Sequence, residues 1–495
     1  MKPLKSLLFL IVVFGILTLI AWATPKGGIK LFNDLKIKFP TLSSIFNDST
    51  IKYADISSII KKTELKSDSL QLNDSLLTID SLNVDSLVTV IQQLEFPDSG
   101  RTALLPFFKN VQRNEGLIRV LHYGDSQIEG DRITSFIRNR FQGRFGGSGA
   151  GMVPIVEVNN LSGAISLDNT GEWKRYTLFG KIDKTIKHKK YGVMLSFSRF
   201  APVYNDSISN DTIIYEASVK IQKASAAYGN CYNFSEIKLL YGNNKKPVMA
   251  ELYDGDKLLG FETLLGGQDF NIATWKLTSV PKELTLKFSG KDSPDIYGIA
   301  FDSNKGLAFD NIPLRGSSGT DFSRGDLSLL KKMYEQLNVK LLIFEFGVNV
   351  VPNVQEDYTF YENWIYGQLS TLKRIHPDMG IIVIGISDMS QKTENGYESY
   401  PNIEKIRNAQ KKAAFRANCA FWDFYQAMGG KNSMPSWVNA DPPMAAKDYT
   451  HLSPRGAKIT AEMLYNALVS EYNLYKTTHT ETANNKAQTI KAKNK

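Results

Sequence analysis

The chain has 495 residues, 42% of them hydrophobic and 22% charged, enough apolar mass for sizeable cores, which excludes a wholly disordered chain, a fibrous protein and a polytopic membrane protein. At about 100 to 200 residues per domain, this length predicts two or three domains. Lys and Arg outnumber Asp and Glu by 59 to 50, a net charge of +9, but part of the excess sits at the two ends and no recognition module accompanies it, so no nucleic acid is expected as a partner.

An apolar run at 7–23 follows Lys2 and Lys5, so the positive charge lies on the cytoplasmic side and the rest of the chain is expected to be exported. Ala21-Trp22-Ala23 has the small-x-small form of a cleavage site, and the run is also nearly long enough to span a bilayer. A cleaved signal and a retained anchor both remain open. Residues 24–100 are polar, with Asp-Ser-Leu at 68–70, 74–76, 80–82 and 85–87. That period is too short for a solenoid, and the segment reads as a spacer.

At Leu117 the texture changes. LIRVLH reads as a buried strand, Tyr123-Gly124-Asp125-Ser126 as a tight turn, and 127–143 as a helix. The segment Phe145-Gly146-Gly147-Ser148-Gly149-Ala150-Gly151 follows a helix, whereas a phosphate loop lies between a strand and the helix it opens, so it reads as a connector. From 154 to 303 short apolar runs alternate with turn residues, which predicts a β-sandwich. Beyond 309 strands and helices alternate: helix 324–337, strand 339–346, helix 357–375, strand 380–386, helix 402–418, strand 420–424, helix 454–472. This pattern predicts a parallel sheet with helices on both faces, with the β module inserted after the first strand-helix unit. The expected organisation is therefore a signal peptide or membrane anchor (1–23), a polar spacer (24–100), the first part of an α/β domain (101–153), an inserted β-sandwich (154–305), the second α/β part (306–475) and a basic disordered tail (476–495).

Cys231 and Cys419 are the only cysteines, too few for a disulfide framework or a four-cysteine zinc site; free thiols and a single bridge both stay open. Of five histidines, His188 in a lysine run, His376 before Pro377 and His479 near the end read as surface residues, and His122 as a packed, hydrogen-bonded one. His451, in Asp448-Tyr449-Thr450-His451, differs. A carboxylate three residues before an imidazole can accept its Nδ1 proton, leaving Nε2 to face a nucleophile. Ser126 ends the first parallel strand and opens a helix, the position at which α/β active sites form. An ester mechanism also needs donors for an oxyanion, each worth roughly 3 to 4 kcal/mol. Asn349 in Gly347-Val348-Asn349 ends another strand, and Gly316 lies in a further loop between strand and helix.

These blocks together resemble an SGNH (GDSL-type) hydrolase: Gly124-Asp125-Ser126, a glycine aligned with Gly316 (Gly319 being the alternative), Gly347-Val348-Asn349, and Asp448-Tyr449-Thr450-His451. The resemblance implies a three-layer α/β/α sandwich with a parallel sheet, Ser126 as nucleophile, His451 as base and Asp448 as its orienter. It implies an oxyanion hole of the Ser126 amide, the Gly316 amide and the Asn349 side chain, and no metal or organic cofactor. Val350 stands where an acidic residue often follows the Asn. The Gly-Asp-Ser followed by a helix and a glycine-rich Phe-Gly segment, with a β-sandwich inserted before block two, is similar to the envelope polysaccharide and peptidoglycan O-acetylesterases of that superfamily. The implied activity is an exported serine esterase removing acetyl or other small acyl groups from an acylated polysaccharide or peptidoglycan. It would act in the periplasm or cell envelope, held at the inner membrane if the N-terminal segment is uncleaved. An acetyltransferase using the same triad and a non-catalytic glycan-binding protein are the alternatives. Trp173, Tyr176 and Trp275 are candidates for stacking on sugar, and Trp437 for a wall of the acyl pocket.

Overall fold

The computed structural model describes residues 3–23, 29–32, 35–37, 51–67, 91–157, 163–203, 212–267 and 269–493. The chain divides into a small unit, Met1–Tyr53 with Lys392–Glu398, and a large one, Ala54–Gln391 with Ser399–Lys495. The small unit carries the helix Pro3–Ala23 and a hairpin of Ile29–Phe32 with Leu35–Ile37. That helix has a mean hydropathy of 2.6 over Leu4–Ala23 and is apolar on every side, as a lipid-facing span or a signal sequence must be.

In the large unit one sheet is built from β1 (Leu94–Glu95), β2 (Leu117–Gly124), β3 (Gly306–Pro313), β4 (Val339–Glu345), β5 (Gly380–Ile384) and β6 (Ala420–Trp422), in the order β3-β2-β4-β5-β6-β1. Every pairing is parallel except that of β1 with β6. Side chains alternate along these strands. Ile118 and Val120 of β2, with Leu341 and Ile343 of β4, face the helices Leu105–Arg113, Thr134–Phe145 and Pro454–Lys493. Leu121, Tyr123, Leu342 and Phe344 face the helices Leu327–Gln336, Thr359–Ile375 and Ile403–Arg416. The result is the three-layer α/β/α arrangement expected.

Between β2 and β3 the chain builds two antiparallel sheets. One runs in the order Asn271–Lys276, Glu236–Gly242, Asp295–Asp302, Ser196–Arg199, Lys174–Thr177, with Gly151–Val153 also paired to Asp295–Asp302; the other runs Lys257–Leu264, Val248–Asp254, Leu284–Gly290, Tyr215–Lys223, Ile165–Thr170. Val219, Leu252, Leu286, Leu239 and Ile299 share the apolar core between them, which makes the insertion a β-sandwich. The glycine-rich connector is needed for close passage: a Cβ on Gly147, whose φ is +105°, would lie 2.5 Å from the backbone nitrogen of Leu307. Arg119 of β2 pins both ends of the insertion. Its guanidinium, 1% exposed, meets Asp310 at 2.7 Å and Asp302 at 2.5 Å, and Asp310 also accepts from the Met152 amide at 2.9 Å.

The structure departs from the sequence reading in several places. No helix begins at Gln127: a 3-10 turn at Ser126–Asp131 is broken where Glu129 is extended and Gly130 left-handed, and the helix proper starts at Thr134. The helix Leu105–Arg113 was not anticipated, and the supposed spacer contributes β1 and a helix at Ser57–Ser67. The Asp-Ser-Leu repeats lie outside the described residues. The last helix runs Pro454–Lys493, past residue 475, since extending an existing helix requires no new nucleus and hence no apolar pattern. Cys231 and Cys419 are both buried and free.

Candidate active site

The carboxyl ends of β3, β2 and β4 are level, Gly124 pairing with Pro313 on one side and Glu345 on the other. From β2 the chain passes to β3 at one flank and later to β4 at the opposite flank, and such a reversal of strand order opens a crevice at the strand ends. The three loops leaving these strands carry Ser126, Gly316 and Asn349.

Asp125 fixes the first turn. It caps the 3-10 turn by accepting from the Gln127 amide at 3.0 Å, and its other carboxylate oxygen accepts from the amides of Gly347 at 3.0 Å and Val348 at 3.2 Å. One carboxylate thereby ties the Ser126 turn to the loop bearing Asn349. Burial, reinforced by the charge of Glu345, pushes the Asp125 carboxyl up to about 7 against the pull of those three amides.

Ser126 Oγ lies 2.8 Å from His451 Nε2, and His451 Nδ1 lies 2.7 Å from Asp448 Oδ2. The other oxygen of Asp448 accepts from the amides of Thr450 and His451, each at 3.0 Å, a turn in which Tyr449 is left-handed with φ of 55°. Burial works against ionisation of Asp448, but the hydrogen bonds from His451 and Thr450 outweigh it and hold the carboxyl below its ordinary range. An ionised carboxylate only accepts, so Nδ1 carries the proton and Nε2 presents its lone pair to the serine hydroxyl.

The Asn349 side chain donates to the Ser317 carbonyl at 2.9 Å, bringing the second and third loops together beside Ser126. The structure separates the two glycine candidates. Gly319 donates its amide to Ser317 Oγ at 3.0 Å, and a Cβ on it would meet the Phe344 ring; its role is packing. Gly316, with φ of +81°, faces open space. Beside this turn a cavity opens between the layers, with Glu129, Asn311 and Arg315 on one side and Val153, Arg175 and Phe179 of the insertion on the other.

The aromatic candidates are not brought to the site. Trp437 is 0% exposed and donates Nε1 to the Met428 carbonyl at 2.9 Å; it is core, not a pocket wall. Trp275 and Tyr176 are also buried, and Trp173 packs edge-on against Phe200 and Phe288. Trp275 and Tyr176, enclosed by their neighbours, have no free face for a sugar, whereas Trp173 is half-buried. His122 is packed as expected, its two ring nitrogens 2.9 Å from Thr134 Oγ1 and Glu345 Oε2. His188 is less exposed than a surface residue, 3.2 Å from Asp295 and against the Phe197 ring. Sequence reasoning assigned no role to Asp125, Gln127 or Ser317. For Asp125 a signal existed, since Asp before a serine at a helical start is a preferred cap; the side-chain partners of Gln127 lie 260 to 325 residues away and leave none, and the Asn349 that reaches the Ser317 carbonyl is 32 residues on.

A parallel sheet in this order, with its carboxyl-end crevice and an inserted β-sandwich, is an architecture shared with a solved esterase. The solved structure of a peptidoglycan O-acetylesterase matches over 77% of this chain and 99% of its own, with a TM-score of 0.60 and 18% identity, a likeness that establishes the fold. An acetyl xylan esterase matches over 32% of this chain and 81% of its own, with a TM-score of 0.27 and 17% identity; a family two carbohydrate esterase from Clostridium thermocellum, in complex with cellohexaose, covers 52% and 93%, with a TM-score of 0.23 and 10% identity. At these scores the last two carry no structural argument. No protein-family model and no curated protein matches the chain.

Proposed function

We propose that this protein is an exported serine esterase that removes acetyl, or another small acyl group, from a carbohydrate of the cell envelope such as peptidoglycan. The observation that carries the reading is the continuous relay from Ser126 through His451 to Asp448, with links of 2.8 and 2.7 Å. In it, Ser126 Oγ attacks the ester carbonyl while His451 Nε2 takes its proton. The Ser126 and Gly316 amides and the Asn349 side chain receive the oxyanion, and His451 returns the proton to the leaving sugar hydroxyl. Water, deprotonated by the same histidine, then releases the acyl group from Ser126. The His451 and Asp448 side chains are 31% and 50% exposed, which supports access of water to the acyl-enzyme. Export is supported by the apolar helix Pro3–Ala23.

The test is acetate release from O-acetylated peptidoglycan and from acetylated xylan, measured beside an activated acetate ester. Ser126→Ala is expected to lower turnover by up to about a million-fold while leaving the circular dichroism spectrum and melting temperature unchanged. Equal turnover by the folded variant overturns the assignment.

A further inference from the structure

Gln127 follows the nucleophile, and the chemistry above makes no use of it. Its side chain is 2% exposed. Nε2 donates to the Thr450 carbonyl at 3.1 Å and to Ser387 Oγ at 3.3 Å, and Oε1 accepts from the Leu452 amide at 3.3 Å. A backbone carbonyl only accepts and a backbone amide only donates, so the orientation of the Gln127 amide is fixed by its partners. The two backbone groups it holds are those immediately before and immediately after His451. The side chain brackets the histidine from both flanks, as one rung of a β-ladder would.

The need for such a bracket follows from the topology. Ser126 and His451 are 325 residues apart, and no secondary-structure pairing joins their loops directly. Asp125 ties the nucleophile turn to the Gly347 and Val348 amides, and Gln127 ties it to the histidine loop. The serine stands between two anchors, one for the loop that carries Asn349 and one for the base.

We propose that Gln127 is a positioning residue that sets the place of the His451 imidazole relative to Ser126; this rests on the esterase reading. Two full-length variants test it on an activated acetate ester. Gln127→Leu keeps the bulk and removes all three hydrogen bonds. A small displacement of a catalytic group costs up to about 100-fold, so kcat is expected to fall by about 10- to 100-fold with KM nearly unchanged and the protein folded. Gln127→Glu keeps the shape, and as a neutral acid at this buried position it can still donate to the Thr450 carbonyl and accept from the Leu452 amide. It is therefore expected to keep most of the wild-type kcat while protonated and to lose it at alkaline pH as the carboxyl ionises and is repelled by the Thr450 carbonyl, a pattern that loss of packing alone does not produce. Should Gln127→Leu not fold, the pH profile of Gln127→Glu decides. A Gln127→Leu kcat equal to wild type, or a Gln127→Glu profile superimposable on it, overturns the positioning role and leaves the esterase reading standing. Absence of Ser126-dependent turnover in the wild type overturns both.

Discussion

Asp125 precedes Ser126 as a buried carboxyl group with three amide donors, and the two influences oppose each other. Burial with the nearby Glu345 prevails, raising its native value to about 7 from an ordinary 3.8. An acid that holds its proton more tightly when native contributes stability that is complete below its unfolded value and is lost as pH rises through the native one. The Asp125 contribution is therefore present below about pH 4 and declines through about pH 7. Asp125→Asn has no titration there, so unfolding both proteins in urea between about pH 4 and about pH 8 isolates the effect. The wild-type midpoint is expected to fall relative to that of the variant across the window. A constant difference would show that the carboxylate is ionised throughout, with its amide donors prevailing over burial.

At the scale of elements, the insertion is fastened where its two connections cross β2. Arg119 is enclosed with Asp302 and Asp310; desolvation disfavours its charge, but the two carboxylates prevail and hold it more firmly protonated than an ordinary arginine. Removing one member of such a buried cluster strands the others. Arg119→Met, similar in length and apolar, leaves Asp310 without its cation and Asp302 with only Lys238, 3.3 Å away, and a loss of about 3 to 5 kcal/mol is expected, read as a lowered denaturant midpoint. A loss within about 1 kcal/mol would mean that water or Lys238 takes over the role. Alternating strands and helices made the α/β layers legible, because buried parallel strands read as continuous apolar runs and their helices as 3.6-residue patterns. The Ser126, Asn349 and Asp448-His451 blocks were legible because each follows a recognisable strand or precedes a helix. What escaped depended on partners far along the chain. The two residues of β1 find a strand only against Phe421 and Trp422, and the burial of Trp437 follows from packing that its own neighbours in sequence do not encode. The pattern from 127 to 143 reads as one helix, while the break inside it rests on the backbone of three consecutive residues, extended Glu129 and left-handed Gly130 and Asp131.

Considered whole, the large unit does not separate cleanly into a catalytic layer and an appended sandwich. Tyr176, Tyr191, Met194 and Phe197 of the insertion belong to the same buried cluster as Leu330, Met333 and Tyr334 of the sheet-flanking helix Leu327–Gln336. Tyr123 of β2 donates to the Val193 carbonyl at 2.5 Å, and the amide of Asp326 donates to the Lys189 carbonyl at 2.9 Å. Interfaces between independent domains are generally smaller and more polar, and domains joined in that way melt separately. Here apolar burial is continuous across the junction, so the insertion and the α/β layers are expected to lose structure in one step. In a thermal scan that follows the β signal by circular dichroism and ester turnover by rate, the two losses should coincide. The excised segment 154–305, exposing the aromatic face it normally buries, should show no cooperative melt. Two resolved transitions, or a cooperative melt of the excised segment, would instead identify the sandwich as a self-sufficient module that the α/β layers merely carry.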